Sequence, residues 1–124
     1  MAGFENYQQE IRKIEDEIEH MGVALGIDWS DEAQVRALAR EALDHSQDRI
    51  REAAASPEDH RLGAKVTLFG LASLMLRTME ESAGVGIESH GGAVWKAFGR
   101  ALWLEAQQRR EDTRSEEHTS ELQS

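Results

Sequence analysis

Seven apolar residues near the start of the chain fall at Phe4, Tyr7, Ile11, Ile14, Ile18, Met21 and Leu25, in steps of three, four, three, four, three and four. A repeat of 3.5 residues sustained over three heptads is the signature of a helix with one continuous apolar seam. The positions between are almost all charged or amide, so the opposite face belongs to water. Arg12 and Asp16, and Lys13 and Glu17, stand four apart, where helical side chains meet. This pattern predicts a helix over about residues 4–21, frayed or ended by Gly22 and Gly26. A long amphipathic helix must bury its seam against something, which favours either a bundle or a second copy of the chain.

The same turn-by-turn spacing recurs three more times. Ser30 reads as an N-cap, with Asp31 and Glu32 at the positive end of a helix dipole, and a second helix is predicted over 31–54. Its apolar face is Val35, Leu38, Ala39, Ala42, Leu43, Ser46, Ile50 and Ala53, small enough for close approach by a neighbour. Ser56-Pro57-Glu58-Asp59 reads as a cap, a preset first turn and the third residue of a capping box, opening a third helix over 57–82. From Val66 to Met79 that helix is apolar nearly all round, the mark of a helix covered on most sides. Gly63, Gly70 and Ser73 suggest close crossings, since each helical glycine costs about 1 kcal/mol. A glycine-rich connection, Ala83 to Gly92, precedes a fourth helix over 93–111. Trp95, Phe98, Leu102 and Ala106 share one of its faces, and Arg109 and Arg110 complement its C-terminal end. No stretch alternates like a half-buried strand. The fold class expected is all-α: a small bundle of about four helices, with a long amphipathic N-terminal helix and a buried third helix, in a single domain over 1–113.

Residues 114–124, Arg-Ser-Glu-Glu-His-Thr-Ser-Glu-Leu-Gln-Ser, carry no apolar period and no cap. Reverse-translated with suitable codons, they give a string resembling a common short-read sequencing adapter. They are read as a non-native tail, with the natural C-terminus lying beyond about Thr113 and missing. Without them 13 basic and 21 acidic residues remain, a net charge of −8 in place of −10.

Composition excludes several function classes. The chain has no cysteine, so it has no disulfide framework, thiolate metal site or cysteine nucleophile, and a cytoplasmic protein is expected. The strong negative charge, with lysines and arginines scattered among acids, argues against a nucleic-acid partner. A membrane partner is not expected either, since no run of eighteen consecutive apolar residues occurs.

Three constellations remain. Glu17 and His20 have the E-x-x-H spacing of half a carboxylate-bridged metal site, and Glu41 and His45 stand at a two-ligand spacing on the second helix. A metal-dependent enzyme built on these four would need all of them to face inward, but heptad geometry turns Glu17 and His20 toward the flank. Ser89, His90, Gly91 and Gly92 precede the fourth helix, where free amides hold anions and a histidine titrates near neutrality. They form the candidate loop for a small-molecule or anion binder. The loop carries no dinucleotide fingerprint: Gly84-Val85-Gly86 lacks the third glycine and follows no strand. Trp95, Trp103 and Leu104 point to different sides of the fourth helix and form the candidate partner surface. No Ser-His-acid triad is legible, since Asp44, His45 and Ser46 diverge around a helix. The reading that follows is a cytoplasmic protein without a cofactor, leaning away from an enzyme. It would act through contacts with itself or another protein, first of all as a homodimer.

Overall fold

A computed structural model describes the backbone of residues 2–84 and 91–123, and the surroundings of side chains over 8–83 and 91–114. Four helices make up the described chain: α1 (Ala2–Leu25), α2 (Glu32–Ala55), α3 (His60–Gly84) and α4 (Ala93–Gln123), with no strand among the described residues. The all-α bundle expected from the apolar periods is the fold observed. α1 packs on α3, α3 on α2 and α2 on α4, with lighter contacts of α4 to α1 and α3. α1 and α2, though joined by a short loop, lie across the bundle from one another.

The α1 seam is consumed inside this bundle. Ile11, Ile14, Ile18 and Leu25 are buried together with Leu68, Phe69, Ala72 and Met75 of α3 and Phe98 and Leu102 of α4. Fully burying each of these side chains other than that of Ala72 contributes about 1.5–3 kcal/mol. The seam therefore supplies no argument for self-association, contrary to the sequence expectation. Phe4 and Tyr7, its first two members, lie outside the residues with described side chains. α1 ends where Gly26 takes φ 68°, with Ile27 N–H donating to the Gly22 carbonyl at 2.9 Å and Gly26 N–H to that of Val23 at 3.2 Å. This left-handed closure favours glycine. Gly22 itself stays helical, and a Cβ there would stand 2.8 Å from the indole nitrogen of Trp29. Trp29 thus lies against α1, with its ring 5.3 Å from that of Phe98, and closes one end of the core.

Both helix starts differ from the expected caps. Asp31, rather than Ser30, caps α2 by accepting from Gln34 N–H at 3.1 Å. Ser30 instead donates its hydroxyl to Asp28 at 2.6 Å. Ser56 closes α2 as its C-cap, and Asp59 opens α3 by accepting from Leu62 N–H at 3.0 Å. Proline serves the intervening turn, in which Asp59 N–H donates to the Ser56 carbonyl at 3.0 Å. α4 runs past the predicted end near residue 111, because no glycine or proline interrupts its glutamate-, glutamine- and arginine-rich continuation.

α2 bends at His45, whose φ of −127° and ψ of 15° leave the helical region. Val35, Ala39 and Ala42 before the bend are buried, whereas Ile50 beyond it is exposed. The C-terminal half of the predicted α2 face thus swings away from the core.

α3 departs most from expectation. Leu68, Phe69, Ala72 and Met75 bury one face, but Gly70, Ser73 and Leu74 on the other are exposed, Leu74 by 40%. A Cβ built on Gly63 or Gly70 meets nothing within 4 Å, so neither glycine serves a crossing inside this bundle. The close crossing falls instead at Gly99 of α4, where an added Cβ would lie 3.2 Å from Met75 Cε and Met79 Sδ. Four helices leave any one of them a free side, and all-round apolarity did not mean all-round cover. By length and composition alone, His60–Ala83 is apolar enough to cross a membrane, with a mean hydropathy of 1.2 over its best window.

Candidate functional site

The first turns of α2 and α4 lie side by side, and between them runs a cleft of about 710 Å³. Its floor is low because the residues there are small: Ala33 and Val35 from α2, and Ala93, Ala97 and Ala101 from α4 at successive i,i+4 steps. Trp29 closes one end and Leu104, 38% exposed, stands at the other. Ala93 to Leu104 is eleven helical steps, roughly 16 Å of groove. Along the rims stand Arg36 and Arg40 on one side and Lys96 and Arg100 on the other, each pair one turn apart, with Glu32 as the single acid.

Arg36 and Arg40 are tied to a buried carboxylate behind the wall. Glu105, its side chain only 6% exposed, accepts from Arg36 Nε at 2.8 Å, and Arg36 Nη2 and Arg40 Nε stand 2.6 and 3.7 Å from the same oxygen as ion pairs. Its other oxygen accepts from Arg109 Nη1 at 3.0 Å. Arg109 in turn grips Asp44 with two parallel bonds of 2.8 and 2.6 Å. Burial pushes the Glu105 carboxyl up, but the Arg109 and Arg36 guanidiniums outweigh it and hold the group below the ordinary glutamate range. The same contacts, led by the Asp44 bond, raise Arg109. Arg109 therefore clamps α4 to α2, and does not complement a helix end as its sequence position suggested. Lys96 and Arg100 differ from the other two rim cations: among the described residues neither pairs with a carboxylate.

Compared with protein-family models, curated proteins and solved structures, the chain matches none. Its chemistry has to be read from its own geometry.

The structure separates the residues singled out in sequence. At the start of α4, the amides expected to await an anion already hold one. Glu15 of α1 accepts from Gly92 N–H and Trp95 N–H, both at 2.8 Å, and so caps the helix from across the bundle. A Cβ on Gly92 would stand 2.8 Å from Glu15 Oε2 and displace that carboxylate, and one on Gly91 would collide with the Trp95 side chain at 2.4 Å. Both glycines thus serve packing and capping, while Ser89 and His90 lie outside the described residues. The four candidate metal ligands do not converge. Glu17 and His20 are exposed on α1. Glu41, across the bundle, accepts from Arg49 at 2.7 Å and Lys65 at 3.1 Å, and exposed His45 meets Asp48 at 3.2 Å. Burial raises the Glu41 carboxyl, yet Arg49 and Lys65 lower it on balance, as in a structural ion pair. Among the described residues no three histidines or acids are placed to share a metal.

Trp95 must also leave the partner surface, because it is 2% exposed and belongs to the core. Trp103 is half-buried and borders a shallow depression of about 320 Å³ with Met79, Gly99 and Leu104. Leu104 borders both this depression and the larger groove. Sequence reading missed the rim cations and Glu105. The Lys96–Arg100 and Ala93–Ala97–Ala101 ladders were visible signals, but their facing partners on α2 are some sixty residues away.

Proposed function

We propose that this chain is a non-enzymatic, cytoplasmic interaction protein that works through protein contacts, first of all by pairing with a second copy of itself through the outer face of α3. One observation carries the reading. Val66 to Leu76 contains no charge, yet only one side of that helix is covered, leaving Gly70, Ser73 and Leu74 open to water. Two helical glycines, Gly63 and Gly70, each cost about 1 kcal/mol and face empty space. That cost is recovered when another helix approaches along them.

A cysteine-free surface loses nothing in a reducing compartment.

Sedimentation equilibrium across a concentration series tests the proposal. The mass should rise from 13.9 kDa toward twice that value. Gly70→Arg should abolish the rise without lowering the monomer's melting temperature, because arginine has the higher helix propensity and meets no neighbour. A wild-type chain that stays monomeric at about 100 µM, a concentration at which even weak specific pairs associate, overturns it.

A further inference from the structure

The groove between α2 and α4 stands apart from the α3 face and asks for a different occupant. We propose that it is a binding site for an amphipathic small-molecule anion, an acyl or aromatic body bearing a carboxylate or phosphate head. Its body would lie on the alanine floor, with its head between Lys96 and Arg100.

Three features converge on that class. The volume, about 710 Å³, falls within the range of small-ligand clefts, about 300–1,000 Å³. The floor offers Ala33, Val35, Ala97 and Ala101, with Trp29 at one end, an apolar surface whose one side-chain donor is the Trp29 indole N–H. The rim carries four cations against one acid, in a chain whose net charge is −10. Self-repulsion among these cations is partly offset on the α2 side, because Glu105 pairs with Arg36 and stands 3.7 Å from Arg40. On the α4 side no such carboxylate stands behind Lys96 and Arg100 among the described residues. An i,i+4 pair of this kind repels itself and is stabilised by an anion that bridges it. A positive cleft in an otherwise negative surface also focuses its field on incoming anions and turns cations away. A small molecule fits better than a helix laid in the groove, because Trp29 and Leu104 limit the floor to roughly three turns.

Isothermal titration calorimetry of the full chain with dodecanoate, below its micellar concentration, is the test, with dodecyltrimethylammonium as the opposite-charge control. Dodecanoate should bind with one site per chain, and dodecyltrimethylammonium at least tenfold more weakly. The double variant Lys96→Glu/Arg100→Glu should weaken dodecanoate binding tenfold or more while keeping its melting temperature, since both side chains are exposed. Ala97→Trp, which fills the floor and keeps the charges, should do the same. Equal binding of the two amphiphiles, or affinity unmoved by both variants, overturns the site. Binding of an acidic helical peptide with this pattern of variant effects, and none of dodecanoate, overturns the small-molecule assignment. Gly70→Arg should leave dodecanoate binding unchanged, so pairing through α3 and binding in the groove fail separately.

Discussion

Glu105→Gln removes one negative charge and almost no volume from the most connected carboxylate among the described residues. Glu105 accepts two charge-assisted bonds, from Arg36 Nε at 2.8 Å and from Arg109 at 3.0 Å, and Arg36 Nη2 stands 2.6 Å from it as an ion pair. A bond to a charged partner contributes about 1.5–3 kcal/mol, and bonds within one network do not add. Arg36 and Arg109 keep 36% and 31% of their side chains in water, so solvent rehydrates them when the carboxylate is lost. Glutamine still accepts one bond. The expected loss is therefore about 2 kcal/mol, below the roughly 3–5 kcal/mol of breaking a fully buried pair. For a chain of this size that is a fall in Tm of about 6–10 °C. Thermal melts followed by circular dichroism, at matched protein concentration and across pH, provide the measurement. Because the folded-state pKa of Glu105 lies below its ordinary 4.5, its contribution is fully present above that value and fades as the pH falls through the lowered one. The gap between wild type and variant should accordingly be full at pH 7 and narrower at about pH 3, where the carboxylates of the unfolded chain are protonated. A gap of less than about 1 °C at pH 7, or one of equal size at both pH values, would refute the argument, since the second result would assign the loss to packing and not to charge.

Phe98→Ala should cost about 3–5 kcal/mol by urea titration, because its ring is fully buried and supports Trp29. Glu15→Ala should cost about 1 kcal/mol and speed hydrogen exchange at the Gly92 and Trp95 amides, which lose their only described acceptor. Gly91→Ala should destabilise more than Gly92→Ala, since the first places a Cβ 2.4 Å from the Trp95 side chain and the second meets only the movable end of Glu15. The difference is readable as separate denaturation midpoints. A chain ending at Thr113 should melt within about 2 °C of the full one, because residues 114–124 carry no apolar period with which to pack.

The helices were legible because their apolar spacing is a local property: Ile11, Ile14 and Ile18 announce a buried stripe whatever covers it, and they are buried. What covers the stripe is not local. The same seam fits a coiled-coil dimer and an intramolecular bundle, and only the presence of α3, with Leu68, Ala72 and Met75 on its inner face, decides for the bundle. The capping errors have a similar cause. Ser30 and Asp31, and Ser56 and Asp59, are all good caps, and the choice between them rests on a turn whose dihedral angles the composition does not reveal.

Charge was the least legible feature because its meaning depends on which helices meet. Read along the chain, Arg36, Arg40, Lys96 and Arg100 are isolated cations in an acidic protein, and that reading argued against a polyanionic partner. Folding sets α2 beside α4 and gathers them around one alanine floor, while Asp44 and Glu105 are drawn behind the wall to hold Arg36 and Arg109. Net charge therefore says little about a surface once the acids and bases have been sorted onto different faces. The argument against long polyanions is not reversed by this, because a groove of roughly 16 Å, whose Lys96 and Arg100 meet no carboxylate among the described residues, spans too little of a nucleic-acid backbone to overcome the repulsion of the rest. A single anionic head is the charge such a groove can hold, and its place between Lys96 and Arg100 is set by the one-turn spacing of α4.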